Sequence, residues 1–360
     1  MGNLFDVLRA SLVLSLVLIS LSALPLVSAG SPKRVARTRS THDAYWRQRR
    51  LTDVVDRGSR PPLHMFETKA RFEEEKREKG DAGSNGGASS TTPIKYQGGP
   101  VMTGSVNVYL IYYGDWPTGS GQNVIENFIR SLSAGSKRQG DPSEPKVKRW
   151  WAINAAYYQE ANGGRANVSS KVRLAGTVYD DYSAGKSFGD NTVWEVVSSK
   201  IGDGKAFPYD PQAIYLLLTS PDVTNPGYCS EYCGWHTMDH MGSDAVIYSF
   251  VGHHGQCAEG CGAQSTSPNG NPAIDATVST IAHEIAEAAS DPDANSGWLD
   301  DGGEENADKC SYDVGPTKTG RDNSGNEYLY NLVGMKGMRF LVQQNWDWEK
   351  NQCASQRKYH

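Results

Sequence analysis

The sequence predicts a single α/β domain with a mostly parallel or mixed central sheet, flanked by helices and stapled by disulfides in its C-terminal third. Three observations support this fold class. Runs of β-branched and aromatic residues alternate with helical periodicity along residues 96–355, as is typical of α/β domains. All 6 cysteines lie in the last third of the chain. A domain of about 260 residues is large for one core but usual for this class.

The predicted elements begin at residue 106. Segment 106–113 (VNVYLIYY) is rich in β-branched and aromatic residues, which indicates a buried strand. Segment 273–290 has apolar residues every three or four positions, which indicates a long helix that stops before Pro292. In chain order we predict the strand 106–113, the helices 123–132 and 147–158, the strand 171–179, the helix 191–201, the strands 213–219 and 245–251, and the helix 273–290.

Residues 1–95 differ in composition from the domain. An apolar run at 12–26 is followed by small residues at 27–29, so we expect residues 1–29 to be a signal peptide. The run is shorter than the roughly 20 residues that a membrane-spanning helix needs. Residues 30–95 are charge-rich and end in a Gly/Ser-rich stretch, so we expect a disordered basic arm or pro-segment. The basic tetrad at 47–50 has the spacing of a dibasic processing site.

Charge and cysteine usage indicate a secreted, extracellular protein. Residues 31–80 contain 14 Lys and Arg against 8 Asp and Glu, whereas residues 81–360 contain 21 against 32. An acidic domain argues against a nucleic-acid partner, and no later segment is apolar enough to span a membrane. An even number of cysteines in an exported chain predicts three disulfides, with the pairing left open. The sequon that begins at Asn167 is compatible with a glycoprotein.

The helix 273–290 contains the motif with the clearest chemistry. His283 and Glu287 are four residues apart, so they lie on one face, and Glu284 lies beside them. Zinc hydrolases place two ligands at this spacing and a general base directly after the first ligand. The usual second histidine is replaced here by a carboxylate, which is also a zinc ligand. We therefore predict His283 and Glu287 as metal ligands and Glu284 as the catalytic base.

A third ligand has to come from another segment. Residues 297–310, which we call the acidic loop, follow the helix and are dense in carboxylates. We expect this loop to turn back over the same helix face, held by Cys310. Glu305 and Asp308 are the first candidate ligands, and Glu304 is the next. The alternative histidine donors are His253, His254, His236 and His240.

Several motifs resemble the Exordium or phosphate-induced-protein family of secreted cell-wall proteins. The matching segments lie at 98–113, 229–236, 251–261 and 330–347, and their order and spacing agree with the family. The resemblance implies an extracellular protein linked, in plants, with growth and nutrient responses at the wall. It implies no settled biochemical activity. Plant members have a neutral helix in place of the His283–Glu287 motif, and this chain looks more like microbial relatives with His-Glu-x-x-Glu.

Two functional hypotheses follow. The first is a secreted metal-dependent hydrolase, most simply a zincin-like peptidase, with zinc as its cofactor. The second is a non-catalytic Exordium-like wall or signalling protein with at most a structural ion. The acidic loop could instead bind calcium, because hard oxygen ligands suit that ion. In a further alternative, His283, Glu284 and Glu287 form only the polar face of an amphipathic helix. The expected partner is an extracellular protein or a cell-wall component.

Overall fold

The structure is a computed structural model that describes residues 64–78, 92–116, 119–133, 146–189 and 191–358. These residues belong to one compact unit. The predicted signal peptide and the basic tetrad at 47–50 lie outside the described residues. Within the predicted arm, residues 64–78 form a strand and a helix, so the expectation of disorder is wrong there.

Short strands and a few longer helices make up the chain. The strands are β1 (His64–Glu67), β2 (Lys95–Tyr96), β3 (Val106–Tyr113), β4 (Tyr158–Ala161), β5 (Gly164–Asn167), β6 (Val172–Asp180), β7 (Ala213–Thr219), β8 (Tyr232–Met241), β9 (Asp244–Gly252), β10 (Trp298–Leu299), β11 (Lys318–Arg321), β12 (Glu327–Tyr330), β13 (Leu332–Val333), β14 (Arg339–Phe340), β15 (Asn345–Asp347) and β16 (Gln352–Ala354). The helices are α1 (Lys69–Glu78), α2 (Ser120–Ser133), α3 (Val147–Asn154), α4 (Thr192–Ser199), α5 (Ala258–Cys261) and α6 (Pro272–Ser290).

A mixed six-stranded sheet forms the centre of the domain. Its spatial order is β1-β8-β9-β7-β3-β6. Strands β9, β7, β3 and β6 run parallel, and β8 and β1 extend the sheet in antiparallel pairs at one edge. The predicted mixed sheet is confirmed. Strand β8 was not predicted, because its sequence (YCGWHTMDHM) contains polar residues that hide the usual strand pattern.

Helices cover both faces of the sheet. Helices α2, α3 and α6 pack on one face, where Leu110, Leu216 and Ile281 belong to one buried cluster. Helix α4 packs on the other face, in a second cluster that includes Tyr109 and Tyr215. Because successive strand residues point to opposite faces, the apolar runs of β3 and β7 supply both clusters at once.

Helix α6 is the element that positions the candidate site. At its start, the Asn271 side chain accepts a hydrogen bond from the backbone N–H of Ile274, and Pro272 occupies the first turn. It ends at Ser290, since Pro292 disfavours a helical conformation for the residue before it. Nearly all of the helix is buried, so the polar face that we expected on one side packs against other protein segments.

One predicted helix is too long. Residues 147–158 were expected to be helical, but α3 ends at Asn154 and Tyr158 begins the β4–β5 hairpin. The Tyr157 hydroxyl donates a hydrogen bond to the backbone carbonyl of Trp346, which lies in the C-terminal part of the chain. Long-range packing of the aromatic residues therefore decides the local conformation here, and helical periodicity does not.

The C-terminal third folds over α6 in short hairpins and is linked by disulfides. The cysteine pairs are Cys229–Cys257, Cys233–Cys261 and Cys310–Cys353, so all six cysteines are paired as the sequence predicted. The third pair ties the end of the acidic loop to β16. No helix among the described residues is long and apolar enough to cross a membrane.

We predict that Gly234→Ala destabilises the protein because β8 crosses α6 at this glycine. A Cβ atom at position 234 would lie 2.7 Å from Thr280 Cγ2 and 2.9 Å from Glu284 Oε1. We expect a loss of about 1–3 kcal/mol in the free energy of unfolding, measured by urea denaturation. Gly164→Ala is the control, because its nearest atom would be 3.9 Å away. Equal stability of the two variants would contradict this account of the crossing.

Candidate metal centre

Helix α6 brings three predicted site residues into one buried cluster. His283 Nε2 lies 3.0 Å from Glu287 Oε2, so the i, i+4 pair shares one face as the sequence indicated. Glu284 is next to them, and all three side chains are fully buried. Small residues such as Ala286 let neighbouring segments approach this face closely. The cluster is therefore part of the protein interior and not a solvated helix face.

Strand β8 supplies a fourth side chain, His236. Its Nδ1 atom lies 3.3 Å from Glu284 Oε2 and 3.7 Å from Glu287 Oε2. The sequence named His236 only as an alternative donor in an i, i+4 pair with His240. In a strand, residues four apart are separated by about 13 Å, so only His236 reaches the cluster.

The acidic loop supplies two carboxylates that the sequence named first. Glu305 Oε2 is 3.6 Å from His236 Nε2, and Asp308 Oδ1 is 3.4 Å from His283 Nε2. The backbone N–H of Asp308 also donates a hydrogen bond to Glu287 Oε1. The loop thus turns back over α6, as the sequence predicted.

A buried ion pair holds the acidic loop in this conformation. The fully buried Lys309 Nζ donates a hydrogen bond to Asp300 Oδ2 at 2.8 Å, and the Asp300 carboxylate also accepts from the backbone N–H of Glu304. Glu304 Oε2 lies 3.6 Å from Lys309 Nζ, so this candidate ligand faces the lysine. A buried lysine needs such partners, and its pairing fixes which carboxylates are left for the cluster.

The seventh member of the cluster, His64, comes from the segment expected to be a disordered arm or pro-segment. Its Nδ1 atom is 3.0 Å from Glu305 Oε2, 3.2 Å from Asp308 Oδ2 and 3.7 Å from Glu287 Oε2. His64 pairs with His236 across the β1–β8 ladder, which places both imidazoles at one end of α6. Sequence reasoning missed His64 because no local pattern marks a contact across more than 200 residues.

Protein oxygens hold one nitrogen of each of the three histidine rings. His64 Nε2 donates to the carbonyl of Gly303, and His236 Nε2 donates to the carbonyl of Asp291. His283 Nδ1 donates to Gln343 Oε1, whose own amide nitrogen donates to the Ala307 carbonyl. The remaining nitrogen of each ring faces a carboxylate of the cluster: Glu305 at 3.0 Å for His64, Glu284 at 3.3 Å for His236 and Glu287 at 3.0 Å for His283. Metal-binding histidines are held by protein groups in this same way.

Several atoms of the cluster lack a hydrogen-bond partner within the part of the chain that the structure describes. They are buried, and they face one another: His64 Nδ1, His283 Nε2, Glu284 Oε1, Glu287 Oε2 and both Oε atoms of Glu305. Facing atoms such as His283 Nε2 and Glu287 Oε2 lie 3.0 Å apart, so burial of these groups requires either protonated rings that form ion pairs or a cation among them. A cation would satisfy the nitrogens and the oxygens together.

The electrostatics of the cluster follow from burial and from the excess of acids. Burial raises the pKa of Glu305 to about 8 and the pKa of Glu284 to about 7. Burial also raises the pKa of Glu287, but His283 and His64 outweigh this and hold it well below its usual value. For His283, burial lowers the pKa, and the neighbouring Glu287 and Asp308 raise it well above its usual value.

The separations within the cluster match the ligand set of one small ion. Ligands bound at about 2.0–2.1 Å in a tetrahedron lie about 3.3–3.4 Å from one another. The nitrogen–oxygen distances that involve His64, His236 and His283 range from 3.0 to 3.7 Å. The groups His236–Glu287–Glu305 and His64–Glu287–Asp308 each bring three donor atoms within 4.8 Å of one another.

The other predicted donors lie outside the cluster. His254 is fully hydrogen-bonded, to the Tyr228 hydroxyl at 2.9 Å and to Thr280 Oγ1 at 2.6 Å, and burial lowers its pKa to about 3. The His253 ring accepts a hydrogen bond from the backbone N–H of Gly255 and packs against Trp116. These two histidines therefore have structural roles.

Comparison with known proteins places the chain in a family. Residues 94–356 match the family model of the phosphate-induced protein 1 conserved region. The chain is 33% identical over 295 residues to Protein EXORDIUM-like 5 of Arabidopsis thaliana, covering 74% of this chain and 77% of that protein. It is 31% identical over 297 residues to Protein EXORDIUM-like 3 of the same plant, covering 74% and 84%.

A tobacco relative gives a shorter match. Protein PHOSPHATE-INDUCED 1 of Nicotiana tabacum is 30% identical over 224 residues, which cover 56% of this chain and 66% of that protein. No solved structure matches the chain. The family match covers the whole central sheet except β1, together with α6 and the acidic loop. The chain therefore belongs to the phosphate-induced protein 1 family, whose members include the Exordium-like proteins.

Proposed function

We propose that this chain is an extracellular Exordium-like protein whose domain binds one divalent cation in the cluster formed by α6, β8 and the acidic loop. The ligands from the domain itself are His236, His283, Glu287, Glu305 and Asp308, of which a single ion uses a subset. The observation that supports the proposal is that three imidazole rings each turn one nitrogen toward the same group of buried carboxylates. The other nitrogen of each ring is held by a protein oxygen, as is usual for metal-binding histidines.

Zinc fits the donor set better than calcium does. Calcium takes six to eight oxygen ligands and makes little use of imidazole nitrogen. The cluster offers imidazole nitrogens from His236 and His283 together with carboxylate oxygens, which is the donor chemistry of zinc and similar transition metals. Calcium was the alternative suggested by the carboxylates of the acidic loop. A calcium ion would leave the imidazole nitrogens without a role.

Burial favours a structural role for this ion. The side chains of His236, His283, Glu287 and Glu305 are fully buried, and only Asp308 (16% exposed) and His64 (19% exposed) approach the surface. An ion at this position would join α6, β8 and the acidic loop, which are distant in sequence. It would thereby stabilise the C-terminal third, much as the Cys310–Cys353 disulfide does.

An extracellular location is supported by the covalent structure of the domain. All six cysteines are paired in disulfides, which persist in oxidising compartments. Asn167 of the sequon is exposed at the end of the β4–β5 hairpin, as a glycan acceptor must be. An acidic domain disfavours nucleic acid, and a cell-wall component or an extracellular protein is the partner we propose.

A metal-dependent hydrolase is the second candidate, and the position of Glu284 favours it. Glu284 follows His283 directly, its Oε2 atom is 3.3 Å from His236 Nδ1, and its Oε1 atom is among the unpartnered atoms of the described cluster. A carboxylate beside a metal-bound water is the arrangement that zinc peptidases use to remove a proton from that water. Glu284 would be the base, and the other acids would hold the ion.

We predict about one zinc ion per purified chain, and weaker binding by at least about a hundredfold in His283→Ala. The variant loses a nitrogen ligand and leaves Glu287 without its partner. Metal content after dialysis against a chelator of known affinity measures the change. His240→Ala is the matched control, because His240 lies on the same strand as His236 but outside the cluster. Calcium alone, or zinc retained equally in both variants, would contradict the assignment.

We predict that removal of the ion lowers thermal stability. A ligand that binds only the folded state at 100 times its dissociation constant contributes about 2.7 kcal/mol. Scanning calorimetry of the wild type with and without a chelator should show this loss, and zinc should restore it. His283→Ala should respond to neither treatment. A wild type that unfolds at the same temperature with and without the chelator would exclude a structural ion.

The variant Glu284→Gln separates the two candidate functions. In the hydrolase, the ion stays bound and turnover of peptide substrates falls by about a hundredfold to ten-thousandfold, because the general base is lost. Metal content and cleavage of a peptide mixture, followed by mass spectrometry, are measured on the same samples. Equal cleavage by the wild type and the variant would refute the role of Glu284. Cleavage by neither would leave the structural role as the function of the ion.

A further inference from the structure

Residues 64–78 contact the metal cluster although they precede the region that the family model matches. We call this segment, which comprises β1 and α1, the strap. The matched region starts at residue 94, so the strap lies before the region that defines the family. It nevertheless places His64 Nδ1 within 3.2 Å of both Glu305 and Asp308. The strap therefore supplies a donor atom that the domain itself lacks.

The strap is anchored in register over the cluster. Its strand extends the central sheet, with His64 opposite His236 and Phe66 opposite Gly234. Phe66 is only 2% exposed, and its ring stacks on His283 with the ring centres 4.2 Å apart. The Tyr312 hydroxyl donates a hydrogen bond to the carbonyl of Glu67. These contacts fix His64 at the solvent side of the cluster.

The same segment has features of a weakly held edge. Strand β1 has four residues, pairs with one neighbour only and has an irregular register between Phe66 and Glu67. Most side chains of α1 are exposed and charged. A cavity of about 270 Å³ separates part of the strap from residues 302–311 of the acidic loop and the turn after it. Elements with few buried apolar contacts open at low free-energy cost compared with the core.

We propose that the strap is an intramolecular ligand of the metal site and that another ligand can displace it. His64 fills the outermost ligand position of the cation, and β1 covers the edge of β8. Release of the strap leaves an open ligand position beside an unpaired strand edge, and such an edge accepts an extended peptide through backbone hydrogen bonds. The external ligand that we propose is therefore a peptide segment that binds as a β-strand and carries a metal-binding side chain. The strap has both of these features. This inference rests on the proposed cation site.

The first test uses the full chain loaded with cobalt(II), whose visible spectrum reports its ligands. We expect His64→Ala to retain cobalt, because the domain's own ligands remain, and to show a changed spectrum. Added imidazole should restore the wild-type spectrum in this variant. A chelator should remove cobalt from it about tenfold faster or more than from the wild type. Met65→Ala is the matched control, because Met65 belongs to the same strand but packs with the opposite core cluster.

The possible outcomes separate this inference from the proposed function. A wild type that takes up neither cobalt nor zinc overturns the cation site itself. Normal uptake by the wild type, with a His64→Ala spectrum and chelation rate equal to those of the wild type, overturns only the role of His64. An imidazole response in Met65→Ala as large as in His64→Ala would show that imidazole enters without replacing the His64 ring, and it would also overturn that role.

The second test examines whether the site accepts a peptide. In His64→Ala/Phe66→Ala the strap loses its ligand and its buried ring, so the β8 edge should become available. A fluorescent peptide with the sequence of residues 64–78 should bind this cobalt-loaded variant, measured by anisotropy, and bind the wild type at least about tenfold more weakly. The same peptide with His64→Ala should bind the variant at least about tenfold more weakly. A variant that retains cobalt and binds neither peptide would refute the displaceable strap.

Discussion

Acidic side chains outnumber imidazoles in the interior of the domain, and this imbalance constrains the C-terminal half of the structure. Glu284, Glu287, Asp291 and Glu305 are fully buried around His236 and His283, with Asp308 and His64 at the outer side. Even if all three rings were protonated, five carboxylates would exceed them in charge. An interior of low dielectric does not tolerate such an excess, so it requires either protonated acids or a cation. The cation proposed above would meet this requirement while the outer ring nitrogens keep their hydrogen bonds.

The packing around α6 is consistent with this constraint. The helix side chains that surround the motif are mostly alanine, and β8 crosses at Gly234, where a Cβ atom would collide with Glu284. Close approach lets β8 and the acidic loop bring their donors to one point. The loop in turn is held by buried Lys309 and by a disulfide, so its carboxylates are fixed before any ion binds. Fixed donors of this kind lower the entropic cost of binding an ion.

The sequence predicted those parts of the site that depend on local geometry. Helical spacing fixes the relation of His283 to Glu287, and the break at Pro292 sends the acidic loop back over the same face. The sequence could not identify His236 with certainty, because β8 does not alternate clearly between apolar and polar residues. It could not identify His64 at all, since a charged segment of low apolar content predicts disorder. In that segment the single ring of Phe66, buried on His283, outweighs the composition of the surrounding residues.

In this proposal, the strap also determines which of the two roles of an ion is open to the protein. A structural zinc site is closed by protein ligands, whereas a catalytic site keeps one position for water or substrate. With His64 in place, the donors would enclose a bound ion, which could then only stabilise the fold. Without His64, the same domain ligands would leave an outward-facing position next to Glu305 and Asp308. Whether a bound ion is structural or catalytic therefore depends on the equilibrium between the docked and the released strap. This equilibrium controls whether water and a peptide reach the ion.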